Sequence, residues 1–285
     1  MRIALATCAA LPELDEDGPA LLAALPEAEP VVWDSGADWD AFDLVVVRST
    51  WDYVERLAEF QNWARSVPRL ANPAAVLTWN LDKTYLRELS VAGVPVVPTT
   101  WLRPGEEFVD PVGAFVVKPT VSAGARDTAR YDGPDSAAHD HVQALLAAGR
   151  DVMIQPYLDA VDSHGETSVV LFEGRMSHGI RKGPLLAASA GVRQDIDSRA
   201  AVGPREPSPA EVAVARAAVA AVGQDLLYAR VDLVPGPDGS PLVLELELSE
   251  PSLFLRHSPG AAERFAAAVR ARADRSSRGG SAPRS

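Results

Sequence analysis

A single cysteine, Cys8, stands in 285 residues, so the chain can form neither an intramolecular disulfide nor a cysteine-based metal cluster. That scarcity fits a reducing cytoplasm. Long apolar runs are missing too: no window approaches the roughly 20 continuous apolar residues that a membrane span needs. The opening Met1-Arg2-Ile3-Ala4-Leu5-Ala6 is too short for a secretory core, and acidic residues follow from Glu13. Basic residues are outnumbered, 27 Lys and Arg against 39 Asp and Glu, for a formal net charge of −12. Diffuse attraction to nucleic acid or an anionic membrane is therefore disfavoured, and an anionic ligand needs local cations or metals. A cytoplasmic protein with a small-molecule partner is expected, and a homodimer is left open. No Ser-His-Asp or Cys-His arrangement is visible, and Cys8 reads as a packed strand residue. Of the five histidines, His139 and His141 fall at i,i+2 in a predicted helix, which points them apart toward the surface. His164 reads as a loop residue, His178 as a candidate to face a site near Lys182, and His257 as a cap.

What is present is a 47% apolar chain with alternating short elements, enough for a substantial α/β core. Ile3–Thr7, Val31–Trp33 and Leu44–Val47 predict buried parallel strands, and Leu57–Trp63 predicts a helix. The turn Asn72-Pro73 opens a new unit. After it come a predicted helix over Leu81–Val91, strands over Val94–Val97 and Ala114–Lys118, and a small-residue loop, Thr120–Thr128. A helix is predicted over Ala137–Ala148, then strands at Val152–Gln155, Thr167–Phe172 and Met176–Lys182, and helices at Pro209–Val222 and Ala261–Ala271. The implied units are 1–75, 76–160 and 161–271, with a disordered Ser-, Gly- and Arg-rich tail over 272–285. Between Leu185 and Pro207 no pattern emerges, which fits an active-site loop or an extended connection.

The most informative segment is Tyr228–Glu250. Two alternating runs flank Asp238-Gly239, a hairpin signal. A two-residue turn there sets Asp232 opposite Glu245, with Arg230, Asp232, Glu245 and Glu247 on one face. The other face takes Val231, Leu233, Leu244, Leu246 and Leu248. Three carboxylates sharing a face repel unless a cation, solvent or raised pKa values relieve them, and magnesium suits such oxygens. An ordinary solvent-facing polar strand is the plain alternative.

Two lysines are candidate phosphate contacts, with an exposed surface lysine for Lys83 and a stem snorkelling from a strand end for Lys118 as the plain alternatives. Lys83 falls in the first turn of the predicted 81–91 helix, where a cation opposes the dipole by ~0.3–1 kcal/mol unless it reaches an anion. Lys118 ends a strand, and Ser122, Gly124, Arg126 and Thr128 follow in a loop whose small residues let backbone N–H groups approach phosphate oxygens. The loop matches neither the P-loop nor the dinucleotide fingerprint.

The order of segments carries a resemblance. Asp82-Lys83, Val117-Lys118-Pro119, Ile154-Gln155-Pro156-Tyr157-Leu158, Gly165-Glu166-Thr167, Arg230-Val231-Asp232 and Glu245-Leu246-Glu247 resemble an ATP-grasp enzyme of the glutathione synthetase and D-alanine–D-alanine ligase branch. The resemblance implies an ATP-grasp fold with an N-terminal Rossmann-like layer, a central lid subdomain and a C-terminal antiparallel-sheet subdomain. It implies that Lys83 and Lys118 contact ATP phosphates, that Gln155, Tyr157 and Leu158 form the adenine hinge, and that Glu166 holds the ribose. Lys182 becomes an additional phosphate contact. Asp232, Glu245 and Glu247 would ligate two magnesium ions, manganese being an alternative, and Arg230 would stabilise a tetrahedral oxyanion. Two departures stand out: Glu247 replaces the family's usual asparagine, and the phosphate loop has one glycine, Gly124.

Three further segments, Arg48-Ser49-Thr50-Trp51-Asp52-Tyr53, Ser122–Thr128 and Glu250-Pro251-Ser252-Leu253-Phe254-Leu255, resemble actinobacterial ATP-grasp proteins that include the D-cycloserine-forming cyclo-ligase. That likeness implies activation of the O-ureido-D-serine carboxylate as an acyl phosphate and ring closure by the ureido nitrogen. Arg48, Ser49, Thr50 and Asp52, just beyond a buried strand, together with Ser249 and Ser252, are the candidate substrate contacts. The rival readings are an intermolecular carboxylate–amine ligase, a metal-dependent phosphoesterase and a non-catalytic nucleotide-binding protein.

Overall fold

Ile3–Thr7, apolar up to its final threonine, forms strand β1, buried on both faces as a central parallel strand must be. Helix α1 (Gly18–Ala24) and β2 (Ala28–Val32) follow, then β3 (Leu44–Ser49) and α2 (Leu57–Ser66), giving a parallel sheet of order β2-β1-β3. The structure is a computed structural model that describes residues 1–184, 186, 191–193 and 201–279.

After Asn72-Pro73 come α3 (Ala74–Asn80) and α4 (Tyr85–Val91), not the single helix predicted over 81–91. The break at 81–84 lets the Lys83 backbone N–H donate to Thr120 O, so this lysine lies in a connection and not in a continuous helix. Val94–Val97 makes one isolated parallel bridge, Val96 to Val243, in place of a strand. Strands β4 (Thr100–Leu102), β5 (Phe115–Pro119) and β6 (Ala129–Tyr131), helix α5 (Ser136–Ala147) and β7 (Val152–Pro156) build an antiparallel sheet, order β4-β7-β5-β6. Phe115, Val117, Ala129 and Ile154 pack under Ala138, Val142 and Leu145 of α5. The alternate residues Val116, Lys118 and Gln155 face a cleft.

A short helix, α6 (Ala160–His164), leads into β8 (Glu166–Phe172) and β9 (Arg175–Lys182). Next come β10 (Val202–Arg205), α7 (Pro209–Ala221), β11 (Tyr228–Pro235) and β12 (Pro241–Glu247). They form an antiparallel sheet of order β10-β9-β8-β11-β12. One face, with Val169, Leu171, Val231, Leu233 and Val243, is covered by α7 and by Tyr85, Leu86 and Leu89 of α4. The helices that follow Asn72-Pro73 thus pack into the core of the C-terminal sheet. The other face changes character along its length. Val170, Phe172 and Tyr228 are sealed by α8 (Ala261–Gly279) and the N-terminal sheet, whereas Glu166, Arg230 and Lys182 at the far end line the cleft.

Helix α8 extends through Gly279, eight residues into the segment predicted to be disordered. Ala273 continues the Phe265–Val269 stripe, and Arg272 bonds Ala71 O, Asp225 and Glu173, which ties that turn to the body. Residues 280–285 lie outside the described residues, as do 185, 187–190 and 194–200 of the patternless stretch.

Two asparagines lock the site strands to the helices before them. Asn72 donates to Tyr228 O (3.0 Å) and Leu248 O (2.7 Å) and accepts from Leu227 N–H (2.8 Å). Asn80 donates to Leu246 O (2.7 Å) and accepts from Leu248 N–H (2.7 Å). Asn80→Ala strands two buried backbone groups beside the site, and urea denaturation should register a loss of about 2–3 kcal/mol. A loss below about 0.5 kcal/mol would mean that water replaces the amide freely.

Candidate active site

The three subdomains meet around a cleft of about 620 Å³. Its floor is the β11–β12 ribbon. Arg230 pairs with Glu247 and Asp232 with Glu245, as the alternation predicts, but the turn is longer than two residues. Gly236 N–H donates to Ser240 O at 2.7 Å, and a bulge after Asp232 restores the register at the acids. The bulge also corrects one placement: Leu244 lines the cleft instead of joining the core face.

Asp232, Glu245 and Glu247 offer oxygens all within 4.8 Å of one another. Cations and donors hold them together. Arg230 grips Asp232 through two parallel bonds (3.0 and 2.9 Å), also contacts Glu247, and donates to Ser252 O at 2.9 Å. Lys182 bridges Asp232 and Glu166, both at 2.7 Å, and Ser168 donates to Asp232 at 2.6 Å. Lys83, only 6% exposed, lies 3.2 Å from Glu245 and donates to Ser122 O at 2.8 Å.

The charge balance across the triad is uneven. Burial raises the Asp232 pKa, but Arg230 and Lys182 overcome it and hold the carboxyl well below its ordinary range. Glu245 is also lowered: burial pushes it up, and Lys83 and Lys118 pull it further down. Glu247 goes the other way, pushed up to about 8 by burial, with Glu245 and Asp232 adding to what Arg230 offsets. Lys118 is lowered to about 8, chiefly by burial, with Glu245 opposing. Lys182 is raised because Asp232 and Glu166 outweigh its burial.

Three mutually repelling acids flanked by lysines fit a divalent cation, which takes carboxylate oxygens and leaves positions for phosphate. The fit carries a stability signature. In metal-free protein the folded Glu247 pKa of about 8 exceeds its ordinary 4.5, so this residue's contribution is present below pH 4.5 and is lost as pH rises toward 8. Glu247→Gln should remove that decline and raise the melting temperature in chelator at pH 8 by a few degrees. Magnesium should stabilise the wild type more than this variant. An unchanged melting curve in chelator would show that Glu247 is not strained.

The loop after β5 takes positive φ at Gly124 (60°), Ala125 (61°) and Asp127 (56°). Ser122, Gly124 and Arg126 line the cleft, and Arg126 reaches Glu55 of the N-terminal unit at 2.6 Å. The predicted hinge residues Gln155, Tyr157 and Leu158 line it as well. Gln155 donates to Thr99 Oγ1 at 3.0 Å, and Tyr157 is pinned by Asp162 (2.6 Å) beneath the Arg130 guanidinium.

The substrate-side predictions divide. Asp52 and Ser252 line the cleft; Arg48, Ser49, Thr50 and Ser249 do not. Arg48, 1% exposed, turns inward to donate to Pro251 O (2.9 Å), its guanidinium 5.9 and 5.7 Å from the Tyr228 and Phe265 ring centroids. It is a strut behind the cleft wall. Ser49 accepts from Asp15 N–H, and Ser249 donates weakly to Leu77 O (3.4 Å). Of the histidines, His141 is buried against Tyr131 and Asp127 O, not on the surface, and His178 bonds Leu253 O behind the wall. The sequence reading did not single out Glu250, Phe254 or Tyr53 as cleft residues. Glu250 is pushed up to about 7 by burial, with Tyr53 and Lys83 opposing. Phe254 holds a left-handed φ of 54° and sets its ring 5.3 Å from Arg230. The one hint for Glu250 and Phe254 was that both lie in Glu250–Leu255, a segment that carries the family resemblance.

Over 94% of its length, and 97% of its relative's, the chain is 42% identical to the cycloserine biosynthesis protein DcsG of Streptomyces lavendulae. The chain belongs to the DcsG family of ATP-grasp ligases. The family described as D-cycloserine synthetase DcsG, N-terminal domain, matches residues 3–72. The crystal structure of D-cycloserine synthetase DcsG superposes with a TM-score of 0.85 at 40% identity, over 97% of this chain and all of that one. D-alanine–D-alanine ligase from Bacillus anthracis shares the fold, with a TM-score of 0.69 at 16% identity over 98% of this chain and 100% of that chain. The ATP-grasp architecture expected of a DcsG-family chain is thus observed. Among the described residues no helix is long and apolar enough to cross a membrane.

Proposed function

We propose that this ligase uses ATP and magnesium to activate the carboxylate of O-ureido-D-serine and close it to D-cycloserine. The observation that carries the reading is the convergence of Lys83, Lys118, Lys182 and Arg230 on three close-set carboxylates at the floor of one cleft. The 42% identity to a cycloserine biosynthesis protein supports the substrate. Asp232, Glu245 and Glu247 would hold two magnesium ions, or manganese, which when bound would neutralise the terminal phosphates. Lys83, Lys118, Lys182 and the Ser122–Arg126 loop are suited to the triphosphate, Gln155 to Leu158 to adenine, and Glu166 to the ribose.

Phosphoryl transfer to a carboxylate needs alignment and charge, not a protein nucleophile, so Cys8, Ser122 and Ser252 on the cleft wall need take no covalent part. The substrate carboxylate oxygen takes the γ-phosphoryl group and ADP leaves. The oxygen-bound ureido nitrogen then attacks the acyl carbon, and its proton and phosphate depart as the five-membered ring closes. Water cleaves the remaining carbamoyl group to carbon dioxide and ammonia. Arg230, fixed by Asp232 and Ser252, is placed to stabilise the oxyanion. Mass spectrometry after incubation with ATP, magnesium and an amino-acid panel including O-ureido-D-serine tests this. A ring product with ADP is expected. A linear amide would indicate intermolecular ligation, phosphate-ester cleavage without nucleotide a phosphoesterase, and no ADP release a binding protein.

A further inference from the structure

The metal and phosphate machinery leaves one carboxylate of the cleft unmatched. Lys83 serves Glu245, Lys182 joins Glu166 to Asp232, and Arg230 spans Asp232 and Glu247. Glu250 has no ion-pair partner among the described residues, and its Oε2 is buried without a hydrogen bond. Its position is nonetheless fixed. Its carbonyl accepts from the Trp51 indole at 3.1 Å, and the next carbonyl, of Pro251, accepts from the Arg48 strut at 2.9 Å. Tyr53, 3% exposed, lines the same cleft as Glu250. A rigidly held, half-satisfied carboxylate in a cleft costs stability unless a ligand completes it.

The location identifies the ligand chemistry. Glu250 follows Glu247 by three residues and lines the cleft together with Ser252 and Phe254, whose ring lies 5.3 Å from Arg230, so it stands beside the reacting end of the cleft. An α-amino acid presents its ammonium on the carbon next to its carboxylate. A substrate whose carboxylate meets Lys83 and Arg230 therefore brings a cation with three donors within reach of this wall. On the ligase reading just given, we infer that Glu250, in the same cleft as Tyr53, receives the substrate's α-ammonium group and makes the enzyme selective for α-amino acids over their desamino counterparts.

Binding rather than turnover tests this. The full chain, with magnesium and a non-hydrolysable ATP analogue, is titrated calorimetrically with O-ureido-D-serine, D-serine and D-alanine. Each is compared with the same molecule lacking its amino group. The wild type should prefer the amino acid by about 10- to 100-fold, the range of one charge-assisted bond. Glu250→Gln should reduce the ratio to within about threefold, with nucleotide affinity changed by less than about twofold. Tyr53→Phe should lower it partway, and it keeps the test decisive should the first variant fail to fold. Equal wild-type binding of both forms, no amino-acid binding at all, or a ratio retained in Glu250→Gln overturns the inference. So does a Glu250→Gln effect confined to the magnesium requirement, which would make the residue a metal ligand. A wild type that shows the preference yet releases no ADP defeats the ligase reading and leaves this one standing.

Discussion

Glu245→Ala is expected to cut ADP formation at least about a thousandfold, or ~4 kcal/mol of barrier, without unfolding the protein. Glu245 sits at the centre of the charge arrangement, opposite Asp232 across the ribbon, 3.2 Å from Lys83 and within the field of Lys118. Unlike Glu247, it is held ionised by those lysines against its own burial, so it is a ready ligand at neutral pH. Removing it takes one oxygen donor from the cation site and leaves Lys83 and Lys118 without their shared anion. Nucleotide phosphates can still reach the lysines, so the loss should fall on turnover and on the magnesium midpoint more than on nucleotide binding. The fold should persist because backbone pairing joins β11 to β12 and Asn80 ties β12 to α3, and neither needs the carboxylate. Turnover by coupled ADP assay across a magnesium titration, with a thermal melt alongside, checks this. Undiminished turnover would defeat the metal assignment.

The acidic floor was readable because a strand's two-residue period needs no tertiary knowledge, and one polar face among leucines marks itself. The pairing of Asp232 with Glu245 was nevertheless reached from a turn that is not there: a longer loop and a bulge cancel, and neither has a strong signature around Pro235–Ser240. The parallel N-terminal strands were legible from continuous apolar runs. The break before Tyr85 was not, since nothing at 81–84 forbids a helix and only the bond from Lys83 N–H to Thr120 O requires the interruption. Arg48 illustrates the limit on the substrate side. An arginine after a buried strand reads as a ligand contact, but here aromatic rings of β11 and α8 and a carbonyl 203 residues away draw it inward. Such a position depends on which distant elements pack together. Glu250 was hidden for the same reason, because its role depends on Tyr53 from another subdomain.

Arg230→Met should lower the turnover rate by about 10²–10³-fold and cost ~3 kcal/mol of stability together, a combination that Glu245→Ala should not show. The side chain is 6% exposed, and five contacts converge on it: two bonds to Asp232, one to Glu247, one to Ser252 O, and the Phe254 ring. Methionine fills comparable space but leaves Asp232, 1% exposed, with Lys182 and Ser168 alone, and leaves Glu247 with no cation in contact. Lys182, already shared with Glu166, would then be the one cation in contact with Asp232 among the described residues, so part of the deficit should appear as a lower urea midpoint in chelator and shrink with magnesium. Arg230→Lys separates charge from shape: an ammonium can neutralise but cannot span Asp232 and the Ser252 carbonyl at once. That variant should recover most of the stability and little of the rate, with substrate KM changed less than turnover. If lysine restored both, Arg230 would act as a counter-ion only, and the oxyanion role assigned to its fork would fall.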